Sequence, residues 1–141
     1  MILPARIQRP VTERDILNDI RAALAREPGV WVVRNNVGKL KDENGRLVTF
    51  GLGTGSADLV GTTDGNLFFA VEVKTPATMP TLAKLDRIGE RHERGEALSK
   101  HDRHLLDQWN WIRFHRRRGA MCGFACTVVG ALGILAGIQD P

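Results

Sequence analysis

Cysteine is scarce in this chain: Cys122 and Cys126 are the only two among 141 residues. Two thiols cannot build a disulfide framework of the kind small secreted domains use. On a strand their spacing would hold them about 13 Å apart, too far for one metal ion. On a helix they could approach, but a structural metal site would still lack ligands. They read as two reduced core thiols of a cytosolic protein. A long apolar run is also missing. The longest, Phe124 to Ile138, contains three glycines and is shorter than the ~20 residues that a spanning helix needs. A core strand followed by a short helix explains it better than a membrane segment. Met1 to Pro10 lacks the apolar core of a signal peptide. The expectation is a cytoplasmic protein with no membrane partner.

The charge balance is not extreme. A net charge of +4 and a pI near 9.6 favour an anionic partner, though plain soluble proteins reach the same values. A hydrophobic fraction of 43% and a charged fraction of 26% are ordinary for one globular domain. A chain of this length can bury roughly 68–70% of its unfolded surface.

What is present is a concentration of charge where a strand should be apolar. Leu67 to Val73 is a β-prone run, yet it carries Glu72, with Lys74 just beyond it. Asp58 lies fourteen positions before Glu72, with the turn-like Thr63-Asp64-Gly65-Asn66 between them. An antiparallel hairpin centred on Gly65 would set Asp58 opposite Glu72, with Cβ atoms about 4.5–5.5 Å apart. Glu72 and Lys74 share a strand face, because side chains alternate with period two; Phe69, Val71 and Val73 face the other way. Facing carboxylates repel, so a cation must compensate them. Either Lys74 supplies it or a divalent metal does. Mg²⁺ suits the second case, because it is held by one or two carboxylates with water and phosphate oxygens filling the other positions. A lysine beside such an ion can assist an attacking water and stabilise phosphate charge. Hydrolysis of a phosphodiester is then one reading; a hairpin with solvated acids and a cross-strand ion pair is the other.

With Asp58-x(13)-Glu72-x-Lys74 on the page, the chain resembles the PD-(D/E)xK, or restriction-endonuclease-like, nuclease superfamily. More narrowly it is similar to the VRR-NUC (virus-type replication-repair nuclease) domain. The resemblance takes in Thr12-Glu13 at a helix start and Val33-Arg34-Asn35-Asn36-Val37-Gly38 on a strand. It continues through Gly51-Leu52-Gly53-Thr54-Gly55-Ser56-Ala57-Asp58-Leu59 and Glu72-Val73-Lys74 to Leu98-Ser99 before a helix. It spans Thr12 to about Val129. Ala57 stands where the family often has proline. Asp102 stands where it usually has glutamine, with Gln108 further along. Thr75 to Ala97 reads as an insertion with room for a short helix and for motion.

The resemblance implies an α/β fold with a restriction-endonuclease-like core, a central mixed β-sheet of four or five strands flanked by helices. It implies a DNA endonuclease dependent on Mg²⁺ or Mn²⁺, structure-selective and of Holliday-junction-resolvase type, working as a homodimer on branched DNA in a bacterial or phage-infected host cell. Asp58, Glu72 and the Val73 carbonyl would ligate the metal. Lys74 would assist the water, and Glu13 would complete the acidic site. Arg34, Asn35, Lys39, Ser56, Lys100, Arg103, Arg116 and Arg117 are the candidate DNA contacts. A non-catalytic nucleic-acid-binding module, or a nuclease subunit that needs a partner protein, are the alternatives.

The remaining elements follow from local signals. Residues 1–11 read as an arm. Thr12 caps a helix with Asp15 in capping-box position, and Ile16, Leu17, Ile20, Ala23 and Leu24 form its apolar stripe up to Pro28-Gly29. Val30 to Arg34 reads as a strand with Trp31 and Val33 on one face. Lys39 to Arg46 reads as a loop or hairpin turn, and Leu47 to Phe50 as a short strand. Gly51-x-Gly53-x-Gly55 opens no helix and so fails as a dinucleotide loop. Ser99 caps a helix running to about Arg118, with Leu105, Leu106, Trp109, Ile112 and Phe114 inward and Gly119 ending it. Trp111, two positions from Trp109, is left for an interface. His101 and His104 share a helix face and read as a surface pair. Ala120 to Val129 reads as a strand, and Ala131 to Ile138 as a closing helix or turn.

Overall fold

The computed structural model describes residues 9–138. Of the expected N-terminal arm, residues 1–8 lie outside the described residues. Helix α1 (Glu13–Arg26) opens with the expected capping box: Thr12 Oγ1 accepts the Asp15 N–H and the Asp15 carboxylate accepts the Thr12 N–H at 2.9 Å. The centre is a four-stranded sheet in the order β1 (Trp31–Arg34), β4 (Leu59–Thr62), β5 (Phe68–Val73), β6 (Met121–Ala125). The first three strands are antiparallel and β6 runs parallel to β5, so the sheet is mixed. A separate hairpin joins β2 (Gly38–Lys41) to β3 (Leu47–Phe50). Helices α2 (Leu82–Glu93) and α3 (Lys100–Arg116) cover one face of the sheet, and α1 and α4 (Val128–Leu135) cover the other. The protein is thus an α/β sandwich of three layers.

Alternation on β5 explains the two cores. Phe69, Val71 and Val73 are fully buried with Ile20 and Leu24 of α1 and Ile134 of α4. Ala70, one step out of phase, packs with Trp109 and Ile112 of α3 and Leu85 and Ile88 of α2. Glu72 belongs to that second face and carries its charge into the layer between sheet and helix. The β4–β5 register pairs Leu59 with Val71 and Val60 with Ala70. One step further outward Asp58 meets Glu72, as a hairpin centred on Gly65 requires. Gly65 and Asn66 close that hairpin with φ of +85° and +60°, conformations that glycine and asparagine adopt most readily.

Thr75 to Ala97 holds the short helix it had room for: twelve residues capped by Thr81, with Leu85 and Ile88 in the core. Two expectations need correction. The strand expected over Ala120 to Val129 ends at Ala125, because Thr127 accepts the Gly130 N–H and starts α4 at Val128. Phe114 is exposed rather than inward, under the Arg118 guanidinium. Trp111 is half-buried against Phe68 and His115 of its own chain. Among the described residues no helix is long and apolar enough to cross a membrane.

Candidate functional site

Asp58 sits where the glycine-rich segment enters β4, and Asn35 fixes that junction. The Asn35 N–H donates to the Asp58 carbonyl at 2.8 Å. Its side-chain amide donates to Ser56 Oγ and to the Ala57 carbonyl, both at 2.8 Å, and its Oδ1 accepts the Leu52 N–H at 3.2 Å. Ser56 Oγ donates onward to the Gly53 carbonyl at 2.6 Å. Gly55, at φ +80°, lies so close to α3 that a Cβ would come within 2.6 Å of the Asp107 carbonyl oxygen. The glycine-rich segment is therefore tied down at both ends. Asp58 Oδ2 in turn accepts the Val73 N–H at 2.9 Å, which locks the carboxylate to the end of β5.

Glu72 is 4% exposed. Its Oε1 accepts a hydrogen bond from the Gln108 side-chain amide and lies 3.7 Å from Lys74 Nζ. Lys74 donates to Gln108 Oε1 at 2.9 Å. One amide thus bridges the acid and the lysine, its nitrogen to Glu72 and its oxygen to Lys74. The same nitrogen lies 3.2 Å from His104 Nε2. Glu72 Oε2 is buried and has no hydrogen-bond partner. Burial, followed by the Asp58 charge, pushes the Glu72 carboxyl well above the ordinary carboxylate range; Lys74 acts the other way but does not prevail, and Glu13 adds to the rise.

These groups open onto a cleft of about 560 Å³. Glu13, Arg34, Asn35, Ser56, Asp58, Glu72 and Lys74 line it together, so α1, β1, the glycine-rich segment and β5 each contribute. Asn35 and Ser56 are occupied with holding the segment. Lys39 is exposed on the β2–β3 hairpin, and Lys100 is exposed at the start of α3. Arg103 is exposed, 3.9 Å from Asp107. Arg116 and Arg117 lie at the far end of α3, about 18 Å along its axis from His104. The Arg116 Nε donates to the Cys122 carbonyl at 2.8 Å, and its guanidinium lies over Trp109, which ties it into the fold. Arg117 is exposed.

His101 and His104, read from the sequence as a surface pair, line the cleft together with Gln108, one of the two positions considered for the family glutamine. Their signal was a polar stripe at positions i, i+3 and i+7 on one helix face. Asp102 lies outside the cleft, with Arg91 at 3.8 Å. Of the two positions considered for the glutamine, only 108 reaches the acidic group.

Among the described residues no three His, Cys, Asp or Glu side chains gather as a ready metal-binding group. Two carboxylates opposed in the hairpin register, one with an unpartnered buried oxygen, nevertheless fit a hard divalent cation that takes its other ligands from backbone, water and substrate. No protein-family model matches the chain, and no curated protein matches it.

Proposed function

We propose that this protein is a DNA endonuclease of the VRR-NUC type, dependent on Mg²⁺ or Mn²⁺. One observation carries the reading. Glu72 is buried against Asp58 with an oxygen that nothing in the fold satisfies. An uncompensated buried carboxylate lowers stability and persists where function needs it. Asp58, Glu72 and the Val73 carbonyl are the groups that would hold the ion. When bound, the ion supplies Lewis-acid polarisation of a phosphate and a lowered pKa for water.

The chain's own residues do the rest. Asp58 is oriented by the Val73 N–H and lines the cleft. Lys74 is aimed by Gln108 and brings a positive charge beside the place where phosphate charge develops. Glu13 adds negative charge at the cleft mouth, and Arg34 adds a cation suited to a substrate phosphate. A homodimer would offer two such clefts to a branched duplex.

The test is cleavage of a labelled four-way junction, a flap and a linear duplex, with Mg²⁺ or Mn²⁺ and with EDTA. Wild type runs beside Asp58→Ala and Lys74→Ala. Metal-dependent cutting lost in both variants is the expected result, with branched substrates preferred. DNA binding with no cutting by wild type on any substrate would sink the enzymatic reading in favour of a binding module or a subunit that needs a partner.

A further inference from the structure

His104 stands one helical turn before Gln108 on α3, so the two side chains share a face. Gln108 is buried, whereas His104 is exposed at the cleft wall. A side-chain amide fits its space either way round, and only its partners decide which end is nitrogen. Here Lys74 decides. An ammonium has donors and no acceptor, and it lies 2.9 Å from one end of the amide, so that end is the oxygen. The nitrogen then faces Glu72 Oε1, which accepts one of its two hydrogens. For the second hydrogen, the acceptor within reach among the described residues is His104 Nε2, at 3.2 Å.

An imidazole nitrogen accepts only when it carries no proton. Nε2 is therefore bare, the ring is neutral, and its proton sits on Nδ1. The opposite form, with Nε2–H, would set two donors against each other. Relief would require turning the amide over. Its N–H groups would then point at the Lys74 ammonium, and its oxygen at the Glu72 carboxylate. Three partners thus agree on one orientation, a donor at the amide oxygen and two acceptors at the amide nitrogen.

We propose that His104 is a positioning residue: as a neutral imidazole protonated on Nδ1, it accepts the second Gln108 amide hydrogen and so fixes the amide that holds Lys74 and Glu72 in place. It acts through Gln108 and needs no contact with substrate. Its effect on turnover rests on the nuclease reading above; its tautomer does not. Water can partly replace an exposed acceptor, so loss of this bond should slow turnover by about five- to tenfold.

The first measurement needs no activity. Long-range ¹H–¹⁵N spectra of the imidazole rings at pH 8 should show His104 protonated on Nδ1, and Gln108→Leu should release it towards the Nε2–H form. An Nε2–H ring in wild type, or an Nδ1–H ring untouched by Gln108→Leu, would overturn the proposal. The second measurement is metal-dependent cleavage of the four-way junction. His104→Phe keeps a planar ring and removes the acceptor, while His104→Gln carries an oxygen to the same reach. His104→Phe should lower kcat by about five- to tenfold with KM within about twofold, and His104→Gln should return kcat to within about twofold of wild type. In a Gln108→Leu background, His104→Phe should change kcat less than about twofold, because the group it acts through is gone. Equal losses in both backgrounds, a rise in KM in place of the fall in kcat, or no rescue by His104→Gln would each count against a positioning role. Wild type that cuts no substrate would sink the nuclease reading, and the tautomer would still decide the bond to Gln108, so the two failures are separable.

Discussion

Replacing Glu72 with glutamine should make the protein more stable while abolishing its chemistry. The change keeps the shape and keeps an Oε1 that can accept from Gln108. It removes a charge that is 4% exposed and faces Asp58. One cost opposes the gain: Lys74, also largely buried, loses a carboxylate 3.7 Å away. It keeps the Gln108 carbonyl at 2.9 Å. Burial and Asp58 outweigh Lys74 at Glu72, since the carboxyl is pushed up and not down. The ionised acid is therefore a net liability. Glutamine still leaves a polar atom in the unpartnered position, so the gain comes from removing the buried charge alone, roughly 1–3 kcal/mol, and the Lys74 loss takes part of that back. We expect a net gain of about 1–2 kcal/mol at pH 7, or roughly 3–8 °C in Tm.

The pH dependence gives the argument its sign. A carboxyl whose folded pKa is raised favours the fold while protonated. That contribution is complete below the unfolded value of 4.5 and is lost as pH rises through the higher folded value. Wild type should therefore lose stability relative to Glu72→Gln as pH climbs above about 4.5, and the two melting curves should converge below it. Mg²⁺ should stabilise wild type at pH 7, by up to about 2.7 kcal/mol at one hundred times its Kd, and so raise its Tm while leaving the glutamine variant unmoved. Differential scanning fluorimetry from pH 4 to 8, with and without Mg²⁺, reads all three effects. A variant no more stable than wild type at pH 7, with parallel pH profiles, would refute the claim that Glu72 is an uncompensated charge.

Asn35→Ala removes three side-chain hydrogen bonds that hold the glycine-rich segment; a stability loss of about 1–3 kcal/mol in urea titration, with a lower kcat, is expected. Gln108→Leu strips the amide between Glu72 and Lys74, and should cost roughly 1–3 kcal/mol and lower kcat more than it changes KM. Burial pushes the Cys122 thiol up to about 11, so a thiol-reactive dye at pH 8 should label half-buried Cys126 in the native protein and reach Cys122 only after denaturation.

The sequence disclosed most where a local rule broke inside a regular pattern. An acid and a lysine at one end of an apolar strand, counted against a Gly-Asn turn, were enough to place Asp58 opposite Glu72 and to name Lys74. The caps at Thr12 and Ser99 were legible because their partners lie three residues away. What stayed hidden depended on longer reach. Asn35 acts on Ser56 and Ala57, 21 and 22 positions on, and no local spacing announces that. Arg116 looked like one more exposed cation until β6 offered it the Cys122 carbonyl. In α2, charged residues at Lys84, Asp86, Arg87 and Glu90 concealed Leu85 and Ile88, which are enough to bury one side of a helix. The same reasoning that found Glu72 applies to α3, where Gln108 interrupts an inward-facing stripe. A buried polar group is a departure that folding alone would not select. In this chain Glu72 and Gln108 are such departures, and both line the cleft.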